Sequence, residues 1–317
     1  MAHRLARLVD PLDRLQRRTP ALAFPIAVVR KMSDDRGGDL AALVAYYGFL
    51  SALPLLLVFA SVLGFVLHGD PGLRAHVLAS AVRDFPTLSG VLDPSVNGNG
   101  LALGLGALWA LWAGLGVTRA LERALNEIWD VPRAEQPNLA RATARGLAML
   151  GALGLLTVLS TALAGLPLAH ALAPLASALV ALGGALVVNA ALFYLAFELL
   201  TNRRLGLGAT WPGVALGAVA WTALQGAGTL YIGHVVAHAS HYYGPFAAVV
   251  GLLAWVYLGA LLLVYCGQVN VVRVEHLWPR SLRGRATAAD ERSARRAGRV
   301  RRRRRGPGGV PHGPSTP

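Results

Sequence analysis

Apolar residues along this chain fall into six long runs that are separated by shorter polar segments. The runs cover about residues 40–67, 101–121, 146–168, 172–198, 208–233 and 245–271. A helix needs about 20 apolar residues to cross the hydrocarbon core of a bilayer, which is about 30 Å thick. Each run reaches that length, and Pro167 and Pro174 supply the break between the third and fourth runs. The pattern therefore predicts six transmembrane helices.

Basic residues lie almost entirely on one side of this predicted bundle. The first 39 residues hold 8 lysines and arginines, the loop after the second run holds four, and the turn after the fourth holds two. The loop between the first and second runs holds only Arg74 and Arg83, and the other loops on that side hold none. Because cytoplasmic loops carry the excess of basic residues, the alternation predicts that both termini are cytoplasmic.

Composition supports an integral membrane protein of all-α class. The 317 residues are 55% hydrophobic and only 15% charged, whereas a soluble domain carries about a quarter charged residues. The single cysteine, Cys266, excludes a disulfide within the chain and a cysteine-based metal site. No phosphate-binding motif of the G-x-x-x-x-G-K-[ST] type occurs, and we expect no cofactor.

The two ends of the chain differ from the apolar middle, which covers residues 40–272. In segment 1–39, Leu5, Leu8, Leu12 and Leu15 alternate with arginines, which predicts an amphipathic helix on the cytoplasmic face. Segment 273–317 holds 13 of the 30 basic residues and is predicted to be a disordered tail that contacts anionic lipid headgroups. Nucleic acid is not expected as a partner, because no aromatic residue follows Trp278 to stack on bases.

Small residues recur every four positions in the second and fifth runs. Ala102, Gly106, Ala110 and Gly114 illustrate this spacing in the second run. Small residues at that interval allow helix backbones to approach closely. We interpret them as close packing within one chain, with a homo-oligomer interface as the alternative.

Polar side chains within the runs concentrate toward the cytoplasmic end, and the outer half has little that is comparable. A polar group at membrane depth must face protein or water. Pro54 also removes the helical partner of the Leu50 carbonyl, which Ser51 or a water can bond. The pattern predicts a polar vestibule open to the cytoplasm, and the alternative is a packing kink with ordinary polar helix ends. The candidate residues are Tyr47, Ser51, Pro54, Arg119, Asn126, Glu198, Asn202, Gln268 and Asn270.

Two further groupings are weaker candidates. Arg119 and Glu198 lie near helix ends and are predicted to form an internal salt bridge if both turn inward. His234, His238 and His241 have helical spacing that suits a metal or a pH sensor. No carboxylate or thiol lies near the histidines to complete a ligand set, so the alternative is a solvated interfacial cluster.

Six stretches together resemble the YihY/BrkB family of bacterial inner-membrane proteins. They are AYYGFLSALPLLL (45–57), ALNEIWDV (124–131), FELLTNRRL (197–205), WPGVALGAVAW (211–221), YYGPFAAVVGLLAWVYL (242–258) and GQVN (267–270). The resemblance implies a six-helix fold in the cytoplasmic membrane. Members of the family carry labels as tRNA-processing ribonucleases or as serum-resistance virulence factors. The family often has an acidic residue at the position of Gln268, which weakens a proton- or cation-coupled role based on a carboxylate there.

These features predict a membrane protein that transports or translocates a small or lipid-like solute and is not an enzyme. A metal-dependent nuclease needs clustered histidines and carboxylates, and the cytoplasmic loops offer carboxylates without histidine. A non-transporting scaffold for the cell envelope is the alternative function, and a membrane-anchored nuclease is the weaker one.

Overall fold

A computed structural model of the chain describes residues 19–66, 100–164, 174–231, 245–281 and 287–295. Within these ranges the structure is all-helical and contains no strand. A short helix, α1 (Pro20–Asp34), precedes six long ones. The long helices are α2 (Gly37–Val66), α3 (Gly100–Ile128), α4 (Leu139–Ala164), α5 (Pro174–Leu200), α6 (Gly206–Tyr231) and α7 (Pro245–Val274). A 3₁₀ turn, Arg133–Glu135, lies between α3 and α4.

Each predicted run coincides with one long helix. Within the described residues, four helices contain stretches long and apolar enough to cross a membrane. These stretches are Leu139–Leu156, Leu175–Leu200, Gly206–Ala227 and Val249–Val274. Most of their side chains lie on the surface of the bundle, as expected for helices whose outer faces contact lipid rather than water.

The six long helices form a closed ring in chain order. Each helix from α2 to α6 packs against the next, and α7 packs against α2. Helix α3 also contacts α5 and α7 across the ring, and α1 packs on α7 and α2. Of the connections between the long helices, only 201–205, between α5 and α6, is short enough to make its two helices neighbours by itself.

One end of the ring holds a tightly packed core among the described residues. We call it the arginine-rich end; it comprises residues 129–138 between α3 and α4, the turn 201–205, and segment 275–281 after α7. The fully buried large side chains gather here and include Leu125, Ile128, Trp129, Phe197, Leu200 and Leu277. Near the middle of α4 and α5, a Cβ atom added to Gly151, Gly154, Gly183 or Gly184 would meet no atom within 4 Å, and the same holds at Gly206 and Gly208 at the start of α6.

Tight packing at the arginine-rich end depends on glycine. A Cβ at Gly213 of α6 would collide with the backbone carbonyl of Cys266 and lie 2.5 Å from Nδ2 of Asn270 on α7. A Cβ at Gly217 would lie 2.5 Å from Cδ1 of Phe193 on α5. The small residues of the fifth run therefore serve packing between helices of one chain, as their spacing predicts.

Part of the predicted disordered tail is structured. Helix α7 continues to Val274, and residues 275–281 and 287–295 are structured, although the sequence analysis assigns them to a disordered tail. Leu277 and Ala289 are 1% exposed, so this segment contributes to the core. The predicted boundary at Arg273 is placed too early because charge density hides these few buried apolar residues. Residues 1–18, with the predicted amphipathic helix, and 296–317 lie outside the described residues.

Candidate functional site

Four polar side chains from two helices and one turn meet at the arginine-rich end. We call Glu122, Asn126, Arg145 and Asn202 the Asn202 cluster. Glu122 and Asn126 lie one turn apart on the same face of α3, and they are 7% and 2% exposed. Arg145 lies in the second turn of α4, and Asn202 lies in the turn that joins α5 to α6. The cluster therefore links the ends of α3, α4, α5 and α6.

The side chain of Asn202 lies between a cation and a carboxylate. Arg145 donates to its Oδ1, and its Nδ2 donates to Oε1 of Glu122 over 3.0 Å. Its backbone N–H donates to Oδ1 of Asn126 over 2.9 Å. The charged partners fix the orientation of the amide, because only oxygen can accept from the guanidinium and only nitrogen can donate to the carboxylate. Hydrogen bonds to charged groups are stronger than hydrogen bonds between neutral groups, so the cluster strongly connects α3, α4 and the α5–α6 turn.

Arg119 and Glu198 do not form the predicted salt bridge. Nη2 of Arg119 donates to Oγ1 of Thr143 on α4 over 3.1 Å. Oε2 of Glu198 accepts the backbone N–H of Gly206, the first residue of α6, over 3.3 Å. Each side chain thus bonds to the helix end nearest to it, and a carboxylate at a helix N-terminus is favourable.

Gln268 lies in a second polar group, which joins α1 to α7. Its Nε2 donates to Oδ2 of Asp35 over 2.9 Å, and Asp35 also forms an ion pair with Lys31. Lys31 and Gln268 are 3% and 0% exposed. Burial raises the pKa of Asp35, and the nearby Lys31 partly opposes that rise. Oε1 of Gln268 is buried and accepts no hydrogen bond within the described part of the chain.

Asn270 connects α7 to α6 at a proline. Pro212 lies inside α6 and lacks an N–H, so the carbonyl of Gly208 loses its helical partner. Nη1 of Arg273 donates to that carbonyl over 3.3 Å. The N–H of Gly213 donates to Oδ1 of Asn270 over 2.7 Å, whereas the buried Nδ2 of Asn270 has no partner among the described residues.

The candidates on α2 lie apart from the Asn202 cluster. Tyr47 is half-buried, and its ring packs against Gly116 of α3. A Cβ atom added at Gly116 would lie 3.0 Å from Cδ1 of Tyr47. Ser51 is 3% exposed, and its hydroxyl donates to the carbonyl of Gly48 over 2.8 Å, so of the two partners predicted for the Leu50 carbonyl, Ser51 and a water, Ser51 bonds elsewhere. The backbone remains helical through Pro54, and the side chains of α2 beyond Ser51 lie outside the described part.

A third polar group lies farther from the arginine-rich end, near the middle of α5 and in the second half of α6. Nδ2 of Asn189, near the middle of α5, donates to Oγ1 of Thr222 over 2.9 Å and to Oε1 of Gln225 over 3.2 Å. Thr222 and Gln225 lie in the half of α6 that is farther from the arginine-rich end. The signal was present in the sequence as three uncharged polar residues within apolar runs, which hydropathy averages hide.

The segment after α7 is attached to α1 by charged groups. Arg280 is 5% exposed and pairs with Asp34 at 2.5 Å and with Asp290 at 3.0 Å. Thr287 and Asp290 exchange hydrogen bonds as a capping box at the start of helical residues 288–295. Burial opposes ionisation of Asp290, but bonds from Thr287 and Ser281 hold its pKa well below the usual range. The T-x-x-D pattern was the missed sequence signal here.

The structure thus brings two of the nine candidates together directly, Asn126 and Asn202. It adds Glu122, Arg145, Lys31 and Asp35, which sequence reasoning did not select. His234, His238 and His241 lie outside the described residues. In the described part of the chain, no group of three or more His, Cys, Asp or Glu residues is placed to hold a metal ion.

Comparison with known proteins gives a consistent result across most of the chain. A family model described as virulence factor BrkB matches residues 28–291. An uncharacterized protein of Dickeya dadantii is 27% identical over 79% of this chain and 83% of its own length. YfkH of Bacillus subtilis, described as ribonuclease-like, is 22% identical over 74% and 90%, respectively. The inner membrane protein YhjD of Escherichia coli is 24% identical over 83% and 84%, and no solved structure matches.

Proposed function

The chain belongs to the virulence factor BrkB family and is a multi-pass protein of the bacterial inner membrane, and from this premise we propose that it transports or translocates a small or lipid-like solute. The observation that carries the proposal is the Asn202 cluster. A buried carboxylate and a buried polar network are costly within a helix bundle, and they recur where solutes or ions pass. A simple apolar junction would hold the same helix ends together with less desolvation.

We propose that all six long helices cross the membrane and that both termini are cytoplasmic. The arginine-rich end then faces the cytoplasm. The alternation of basic residues between successive loops supports this orientation. The exposed apolar side chains of α3 and α5, such as Leu108, Leu179 and Val187, support lipid contact for these helices.

In this proposal the Asn202 cluster closes the cytoplasmic end of the path. Its bonds cross between α3, α4 and the α5–α6 turn, so separation of these helix ends must break them. A closed ring of helices that separates at one end while remaining packed at the other allows alternating access. The unpartnered Oε1 of Gln268 and Nδ2 of Asn270 supply polar contacts that a solute or water can use.

The test is flux in proteoliposomes with defined probes. We expect wild-type protein to accelerate either the flip of NBD-labelled phosphatidylglycerol, measured by dithionite reduction, or glycerol entry, measured by vesicle swelling. Arg119→Ala removes the half-buried guanidinium bonded to Thr143 and is expected to slow that flux about tenfold, or about 1.4 kcal/mol.

Arg123→Ala is the matched control, because Arg123 lies one turn further along α3 and is exposed. It is expected to leave the flux unchanged. If wild-type vesicles pass both probes no faster than protein-free vesicles, the transport proposal is rejected for these two solute classes.

A scaffold without transport is the second candidate. The observation that favours it is the tight packing at the arginine-rich end, where the Asn202 cluster is bonded internally and Gly213 and Gly217 leave no spare space. A scaffold would remain folded and pass neither probe in the same assay. The ribonuclease-like description belongs to YfkH, and we propose no catalytic activity for this chain.

A further inference from the structure

Arg273 lies beside exposed apolar side chains of α6, and a second arginine, Arg204, precedes them in the chain. Leu207 and Trp211, one turn apart on α6, are 59% and 53% exposed. The guanidinium carbon of Arg273, in the last turn of α7, lies 4.9 Å from the centre of the Trp211 ring. Arg204, two residues before α6, is exposed. We call Arg204, Leu207, Trp211 and Arg273 the Trp211 surface.

The positive charge of this surface is not neutralised by neighbouring carboxylates. Glu275 is occupied by Arg203, with an Nη1–Oε1 distance of 3.0 Å. Glu198 accepts the N–H of Gly206. Among the described residues, neither Arg204 nor Arg273 takes part in an ion pair, and the polar bond of Arg273 goes to the neutral carbonyl of Gly208.

The apolar side of the surface continues along α6. Exposed side chains follow Trp211 at Ala215 and Val219, which are successive positions on one helix face. This face runs from the end of the helix toward its middle, and it belongs to one of the stretches apolar enough to cross a membrane. The surface is therefore amphipathic along the helix axis, with cations at its end and hydrocarbon-like side chains beyond.

We propose that the Trp211 surface is a binding site for one anionic phospholipid. The phosphate lies between Arg204 and Arg273, and an acyl chain follows Leu207, Trp211 and Val219 along α6. Tryptophan prefers the depth of the headgroups, and basic groups near the membrane surface attract anionic lipid. A zwitterionic lipid would cover the apolar face, but its own cationic group would offset the charge of its phosphate, so it would bring no net negative charge to the two arginines. The arginine-rich tail, with its run from Arg301 to Arg305, has the wrong sign of charge to occupy the site.

The experiment uses the fluorescence of Trp211 in full-length protein. Bilayers are prepared with brominated phosphatidylglycerol or brominated phosphatidylcholine, and the quenching that is lost in Trp211→Phe is assigned to this site. We expect wild-type protein to be quenched at lower mole fractions of brominated phosphatidylglycerol. Arg204→Gln is expected to reduce that preference about fivefold, and the double variant with Arg273→Gln about 25-fold, as expected for about 1 kcal/mol per arginine.

Controls separate a site from general charge attraction. Arg133→Gln with Arg141→Gln removes two exposed arginines elsewhere at the same end and is expected to leave the preference intact. Equal quenching by both lipids, or an equal loss in this control, overturns the proposal. Relief of quenching by millimolar inorganic phosphate would also overturn it, because it would assign the site to free phosphate. Arg204→Gln keeps the test informative if the double variant does not fold. The outcome of this quenching experiment does not depend on whether the protein transports labelled phosphatidylglycerol or glycerol in the flux assay.

Discussion

At the scale of single residues, the buried polar groups are organised by complementary pairs of donor and acceptor. Asn202 illustrates this, because one amide bonds a guanidinium through oxygen and a carboxylate through nitrogen. An apolar residue in its place would leave Glu122, which is 7% exposed, without that donor. The cost of such a group falls on the partners left behind more than on the bond that is lost.

We predict that Asn202→Leu destabilises the protein by about 1–3 kcal/mol for each buried group that loses its bond. The measurement is the midpoint of thermal unfolding in detergent, monitored by the helical circular dichroism signal. Glu122→Leu with Asn202→Leu should cost less than the sum of the two single changes, because the unbonded carboxylate is then absent. Strict additivity of the two costs would show that the cluster does not act as a unit.

At the scale of elements, α6 shows how a helix accommodates a proline inside a membrane bundle. The carbonyl that Pro212 leaves without a donor accepts from Arg273, and the next N–H, that of Gly213, bonds Asn270. Both compensating side chains come from α7. A Cβ at Gly213, the residue after the proline, would collide with the backbone of α7, so only glycine fits there.

We predict that Gly213→Ala and Gly226→Ala change stability in opposite directions. The methyl group at 213 would collide with α7 and cost about 1–3 kcal/mol. The methyl group at 226 would meet no atom within 4 Å, so the usual helical advantage of alanine, about 0.5–1 kcal/mol, should remain. Thermal unfolding in detergent measures both, and a stabilised Gly213→Ala would refute the close contact.

At the scale of the whole molecule, the six long helices form a closed ring with a tightly packed core at the arginine-rich end. Large buried side chains such as Trp129, Phe197 and Leu277 gather there. Helix α1 and the segment after α7 add further contacts at this end, through the Gln268–Asp35 hydrogen bond and the Arg280–Asp34 pair. The end that we place in the cytoplasm is therefore held together by segments that are distant in the chain.

We predict that alkaline phosphatase fused after Pro94 is active and that the same enzyme fused after Arg204 is inactive. The enzyme works only outside the cytoplasm. In the six-span topology, loop 68–100, which holds few basic residues, and the basic turn at 201–205 lie on opposite sides of the membrane. The measurement is phosphatase activity per amount of fusion protein. Reversed activities would contradict the orientation of every helix.

The sequence by itself determined the helical class and the position of each long helix. It did so because length, apolar content and flanking charge are properties of single segments, and each segment partitions between lipid and water according to its own composition. The proline break before α5 and the small-residue face of α6 belong to the same class of local signals.

Only the tertiary structure decided which polar residues meet. Arg119 and Glu198 looked like partners, yet each bonds to the nearest helix end, whereas Asn202 joins Glu122 and Arg145 from 80 and 57 positions away. The same holds for Gln268 and Asp35, which are 233 positions apart. A hydrogen bond requires a donor–acceptor distance of about 3 Å, within a few tenths of an ångström. Between segments, that distance is set by how the helices pack around the ring rather than by any one helix.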